Sequence, residues 1–297
     1  MNNISIVICT YNRLFYLKKA LQSLLEQTLF QKKQYVCEII VVDNNSTDGT
    51  LEYVREIQKK YSYVRYCKET RQGIGYARNT GLEQAQYDII AYIDDDERAA
   101  SDWAENILQV FQREDNVGCV GGPYYLEDKD KIPTWIPQSM YTVLGDVHLS
   151  DSESVTELFD KGLCGGNFAV HRKAYEQIGG FPLLGRKGEL LLADEDDLYT
   201  KQIYQAGFRV LYNPQAIVHH ALIESRMKLS YFMKHGKGMA YTRAKKCKIP
   251  KYFFELLWNI LRSPVVIVLN YQERLKIFCR IASSYYKLEK SLKDLFL

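Results

Sequence analysis

Four acidic residues in a row, Asp94-Asp95-Asp96-Glu97, follow directly on the apolar run DIIAYID at 88–94. Like charges packed at a strand end repel one another unless a cation sits among them. Carboxylates one residue apart on a tight turn can present oxygens to Mg²⁺ or Mn²⁺, and such an ion can hold a diphosphate. The plain alternative is a solvated acidic turn ahead of a helix beginning near Ser101-Asp102. A second run, Asp194-Glu195-Asp196-Asp197, precedes an amphipathic stretch. A carboxylate there could act as general base toward a hydroxyl. Acids in the first turn of a helix also complement its dipole, with no catalysis implied. His219-His220 stands downstream of both runs, as a candidate metal ligand or an ordinary structural pair. Residues 73–81 (GIGYARNTG) are rich in glycine like a nucleotide loop, but lack both Gly-Lys-Ser/Thr and the GxGxxG spacing. Arg71 and Arg78 beside that stretch could meet phosphates, or could be surface charge on a helix.

These residues need a frame, and the first hundred positions provide one by alternation. Short apolar runs at 4–9, 38–43, 64–69 and 88–94 read as strands. Helical patterns fill the gaps at 14–29, 48–61 and 75–86. Near-continuous apolar strands alternating with helices predict a mostly parallel sheet covered on both faces. In such sheets ligands bind beyond the carboxyl ends of the strands. The residues there are Thr10 to Arg13, Asp43 to Asp48, Arg71 to Gly75 and Asp94 to Glu97, and all four clusters are polar. Further on, a helix is expected at 102–113, a strand at 117–122, a helix at 199–206 and a strand at 208–212. Between 124 and 135 a Tyr/Trp/Pro stretch reads as a long loop that could close over a site. Trp135, followed by Ile136-Pro137, could stack on a sugar or simply pack at the base of the loop.

Composition bounds the class. With 46% hydrophobic and 25% charged residues over 297 positions, the chain can bury a sizeable core and is neither disordered nor collagen-like. Its seven scattered cysteines form no CxxC pair, which argues against a disulfide framework or a zinc site and for a reducing compartment. The apolar opening is too short for a signal peptide. The net charge of +3 hides an asymmetry: residues 225–297 carry 16 Lys+Arg against 4 Asp+Glu, and residues 1–224 carry 23 against 32. An acidic body thus bears a basic tail, which suits an anionic membrane, nucleic acid or a phosphorylated carrier, or is a solvated face.

Taken in order, these segments resemble the family-2 glycosyltransferases of GT-A fold. The resemblance runs through Val7 to Arg13, Val41 to Thr50, residues 73–81 and the triple Asp. It continues through Gly165-Gly166-Asn167 with His171-Arg172, Gly179-Gly180-Phe181, the second acidic run and Pro214 to His220. It implies an α/β Rossmann-like domain over 1–224, with a donor half over about 1–100 and an acceptor half over about 101–224. It assigns donor binding to Thr10, Tyr11, Arg13, Asp43, Arg78, Asp94 and Asp95, with Asp43 on the nucleobase and Arg78 near the diphosphate. Asp96 becomes the direct ligand of Mn²⁺ or Mg²⁺. His220 joins it as a metal ligand, with His219 the alternative one residue away. Gly166, Asn167 and Trp135 fall on the acceptor side. Spacing from Leu198 makes Glu195 the catalytic base, and a slip of one residue would choose Asp196. Here Asp-Glu stands where the family has Glu-Asp.

The activity so implied is inverting transfer from a nucleotide sugar, by family frequency a UDP-sugar, to a glycan or lipid-linked hydroxyl, as in bacterial surface polysaccharide synthesis. The tail over 225–297 is expected to be helical and to serve membrane attachment or homodimerisation; its apolar runs are too interrupted to span a bilayer. The expected location is cytoplasmic, peripheral to the inner face of the membrane. Nucleic acid is not expected as a partner, since the tail has no recognition motif. Two rivals remain. A sugar nucleotidyltransferase would want a Gly-rich basic loop where Thr10-Tyr11-Asn12-Arg13 stands, and a non-catalytic nucleotide binder would not need intact acidic clusters.

Overall fold

Strand β1 (Asn3–Thr10) is the centre from which the fold is built. A computed structural model describes residues 2–32, 34–159, 162–183 and 195–243. Asp194 and the tail beyond 243 lie outside the described residues. β2 (Val36–Asp43) and β4 (Ile89–Asp94) flank β1 in parallel, and β3 (Val64–Lys68) extends the sheet beyond β2. The other half of the sheet comprises β6 (Val117–Gly121), β8 (Thr156–Glu157), β9 (Phe168–His171) and β10 (Arg209–Tyr212). The eight-stranded sheet has the order β3-β2-β1-β4-β9-β6-β10-β8. β10 runs parallel to β6, while β9 lies antiparallel between β4 and β6. A second sheet of three strands joins β5 (Glu97–Ala99), β11 (Val218–His220) and β7 (Tyr124–Leu126).

Both faces of the large sheet are apolar because both are covered. Ile4, Ile6, Ile8, Ile39 and Val41 point to one side, against α1 (Leu14–Leu25) and α4 (Trp103–Arg113). On that side also lies Val54 of α2 (Thr50–Lys60). Val7, Cys9, Ile40, Val42 and Tyr92 point to the other, against α3 (Ile74–Gln84), α5 (Arg172–Ile178) and α6 (Glu195–Gln205). The period-2 alternation of strand side chains is what splits one apolar run between two cores.

Several expected bounds shift for identifiable reasons. The helix expected over 14–29 stops at Leu25, and Thr28–Gln31 forms a 3-10 turn. Gln27, 1% exposed, turns its amide away: Nε2 donates to the Ala100 carbonyl at 2.7 Å, and Oε1 accepts from the Ala104 amide at 3.0 Å. Residues 73–81 are largely helix rather than loop. Gly73 precedes α3, and Gly81 lets that helix lie on β1, since a Cβ there would sit 2.5 Å from Val7 Cγ1. The loop expected from 124 onward begins instead as β7, paired with β11. The helix expected from 199 starts at Glu195, so the acids form its first turn, where the helix dipole favours them.

The described chain divides into two compact units. The first holds residues within 2–127, 145–183 and 195–221, and with them both sheets. The second gathers 128–144 and 222–243. In the second unit α7 (Leu229–Arg243) carries Phe232, which meets Trp135 edge-on with ring centroids 5.9 Å apart. No helix among the described residues is long and apolar enough to cross a membrane.

Candidate active site

Register brings the polar clusters together. Thr10 pairs with Asp43 and Cys9 with Asp94, so the ends of β1, β2 and β4 lie side by side. The loops after β1 and β2 are laced to each other. Asn12, at a φ of 50°, accepts from the Thr47 amide at 2.7 Å while its own amide donates to Ser46 Oγ at 2.9 Å. Asp48 accepts from the Leu14 amide at 2.8 Å, so the second loop caps the helix that follows the first. Asp43 is buried: Oδ1 accepts from the Ser46 amide at 2.8 Å and Oδ2 from the Tyr66 hydroxyl at 2.7 Å. Asn44 ties in the third loop, accepting from the Gly73 amide at 2.8 Å and donating to the Arg71 carbonyl at 2.7 Å. Tyr11 stays open to solvent at 46% exposure.

The acidic run splits across a turn: Asp94 ends β4, Asp95 and Asp96 form the turn, and Glu97 starts β5. Asp95 has both oxygens engaged, Oδ2 by Thr10 Oγ1 at 2.8 Å and Oδ1 by Arg13 Nη1 at 3.0 Å. Burial above all raises its pKa to about 6; Arg13 opposes the rise and Asp96 adds to it. Glu97 is deeply buried, which pushes its pKa well above the usual carboxylate range, and Asp94 and Asp96 push it further. β11 sets His220 directly opposite Glu97. Ligand atoms of Asp96, Glu97 and His220, all buried, lie within 4.8 Å of one another. His219 points elsewhere, its ring 6.3 Å from that of Tyr125.

Arg78 links this turn to the second acidic run. Its guanidinium, 3% exposed, donates through Nη2 to Asp94 at 3.3 Å and through Nη1 to Asp196. Nε of Arg78 has no hydrogen-bond partner among the described residues. Glu195 is buried beside this arginine and acts on its charge. Thus Asp196 is held in an ion pair, and Glu195 lies buried in the same first turn of α6.

Two glycines let backbone come close to these groups. A Cβ on Gly165 would collide with Asp196 and Arg78, and one on Gly166, at a φ of 92°, with the Glu97 carboxylate. Asn167 holds that turn from behind. Its amide nitrogen donates to the carbonyls of Pro123 at 2.9 Å and Ala216 at 2.8 Å, and its oxygen accepts from Trp103 Nε1 at 2.7 Å. The Asn167 side chain, 1% exposed, is therefore spent inside the fold, and only the backbone it fixes faces the site. His171 likewise caps α5, accepting from the Lys173 amide at 3.1 Å. Sequence reasoning missed Tyr66 behind Asp43 and the inward turn of Glu97. The fourth acid of the run was a visible signal for Glu97; for Tyr66, a lone residue of a short strand, there was none.

The family model of glycosyl transferase family 2 matches residues 5–179, more than half of the chain. A glucosyl-dolichyl phosphate glucuronosyltransferase of Haloferax volcanii is 28% identical over 81% of this chain and 76% of its own. The succinoglycan biosynthesis protein ExoM of Rhizobium meliloti is 25% identical over 87% of this chain and 79% of its own. Among solved structures, a mannosyltransferase from Pyrobaculum calidifontis in complex with GDP-Man and Mn²⁺ has a similar fold. Its TM-score is 0.60 at 19% identity, over 99% of this chain and 74% of that one. With the doubly covered sheet and the polar row at its strand ends, these likenesses make the chain a glycosyltransferase of GT-A fold that belongs to glycosyl transferase family 2.

Proposed function

We propose that the chain transfers a sugar from a nucleotide-activated donor to a hydroxyl of a glycan or lipid-linked acceptor, with inversion at the anomeric carbon and with Mn²⁺ or Mg²⁺ bound. The observation that carries this reading is the buried set of Asp96, Glu97 and His220 within 4.8 Å, beside Arg78 with its orphaned Nε. Hard oxygen donors and one imidazole suit either ion. A buried donor with no partner is costly, and a phosphate oxygen would satisfy it. Bound between Asp96 and His220, the ion would neutralise the diphosphate and stabilise it as a leaving group.

The remaining roles belong to side chains. Thr10, Tyr11 and Asp43 line the nucleobase pocket, Asp94 faces the ribose, and Asp95 braces the turn through Thr10 and Arg13. Glu195 takes the acceptor proton as the new bond to the anomeric carbon forms and the bond to the diphosphate breaks. Its neighbour Asp196 pairs with Arg78 and helps to hold that guanidinium in place. The Gly166-Asn167 backbone borders the acceptor. A lipid-linked or polysaccharide acceptor fits what the halophile and rhizobial relatives are named for. UDP is the first donor nucleotide to test, with GDP beside it because of the mannosyltransferase likeness. Calorimetry with each diphosphate should give an affinity that falls on chelation with EDTA and in Asp96→Ala. Equal affinity with and without Mn²⁺ would sink the metal role.

A further inference from the structure

One oxygen of Asp96 is claimed twice. Oδ2 lies 3.7 Å from His220 Nε2, on the side where the proposed metal site gathers its ligands. The same Oδ2 accepts from Arg13 Nη1 at 3.0 Å, and that nitrogen also reaches Asp95 Oδ1 at 3.0 Å. The two aspartate side chains are 2% and 6% exposed, while that of Arg13 is 37% exposed, so the guanidinium reaches in from the solvent side. Thr10 Oγ1, on the other oxygen of Asp95, steadies this arrangement from the end of β1. Burial works against the charge on Arg13, yet Asp96 and Asp95 outweigh it and keep the guanidinium charged.

A guanidinium and a divalent cation sharing one carboxylate oxygen repel each other, and with both aspartates buried the water on the outer side of Arg13 screens only part of that repulsion. Arg13 also belongs to the loop after β1, which is laced to the loop carrying Asp43. We propose that Arg13 is a positioning residue that ties metal uptake to donor uptake. It orients Asp96 for the ion but opposes entry of the ion alone, and the negative charge of a nucleoside diphosphate lifts that opposition. The inference rests on the metal site of the proposed function, and adds an order of events to it.

The test uses Mn²⁺ on the full chain, followed by loss of the free-ion signal in electron paramagnetic resonance, with and without UDP or GDP. The wild type should bind Mn²⁺ weakly alone, and about tenfold or more tighter with the matching diphosphate, within the usual range of site coupling. Arg13→Gln, neutral but still able to donate a hydrogen bond, should bind Mn²⁺ alone several-fold tighter and lose most of the nucleotide-linked gain. Arg13→Lys should stay close to wild type, since it keeps the charge. Linkage requires the diphosphate's own affinity to gain the same factor from Mn²⁺, so both couplings should shrink together in Arg13→Gln. If Arg13→Gln fails to fold, as judged by its thermal melt, Arg13→Met serves as the second neutral variant. A wild type with nucleotide-linked Mn²⁺ binding beside neutral variants that bind Mn²⁺ alone no tighter would overturn the inference. No Mn²⁺ uptake by the wild type even with diphosphate would fell the metal site itself, and the inference with it.

Discussion

Glu195 and Asp196 share the first turn of α6 beside Arg78 and differ in their proposed tasks. Asp196 shares an ion pair with Arg78, which also donates to Asp94, so removing the Asp196 charge weakens the hold on that guanidinium. Glu195 sits in the same first turn, and its carboxylate is the one proposed to move a proton. Loss of a general base slows transfer by about a hundred- to ten-thousandfold. Glu195→Gln should therefore keep nucleotide affinity and fold while transfer drops by that order. Asp196→Asn should be milder in kcat and act more on donor affinity; steady-state kinetics with separate calorimetry would tell the two apart. A dead Asp196→Asn beside an active Glu195→Gln means the register is off by one. At this scale the sequence was informative because like charges in a run are costly without a task. It was silent where function depends on a long-range partner, as with Tyr66 on Asp43 or the hydrogen bonds that turn Asn167 inward.

Helix α3 shows how an element is held to its place. Gly81 rests against Val7 of β1, and a Cβ there would meet Cγ1 at 2.5 Å. Alanine gains about 1 kcal/mol over glycine in helix propensity. Overpacking a close helix–strand contact costs about 1–3 kcal/mol, and the clash should win. Gly81→Ala is therefore expected to lower the thermal midpoint by a few degrees, and Gly81→Ala with Val7→Ala to lose less than the sum of the single changes. Full additivity in that cycle would show that the contact does not govern the spacing. The strand–helix alternation of the donor half could be read directly, since each element carries its own period. β9 could not: four residues between a glycine pair and a helix give too little pattern, although Phe168, Ala169 and Val170 are fully buried. The glycines of residues 73–81 were ambiguous for a related reason, because tight packing and phosphate contact both select glycine.

The molecule as a whole is acidic in its body and basic in its tail, with 16 Lys+Arg against 4 Asp+Glu over 225–297. Most of that tail lies outside the described residues, so its proposed role rests on charge. A peripheral attachment would bring the enzyme to lipid-linked acceptors without a spanning helix. Co-sedimentation with liposomes should then require anionic lipid and weaken steeply as salt rises, because exposed charges are screened over a Debye length. Binding that ignores salt, or no binding beside a concentration-dependent dimer, would favour a self-association arm.

The position of β9 also sets a timetable for synthesis. β3-β2-β1-β4 is complete once residue 94 has left the ribosome, yet its open edge must wait for 168–171 to arrive and pair with β4 and β6. At about 5–20 residues per second the gap lasts roughly 4 to 15 s. During it the edge of β4, with Ile89, Ile90 and Ala91, has no strand beside it. His220 comes later still, so the acidic turn spends that interval before its imidazole neighbour exists. Chain order thus leaves the β4 edge without its partner until residues 168–171 are made, and chaperone occupancy or ribosome pausing between residues 94 and 168 would bear directly on yield.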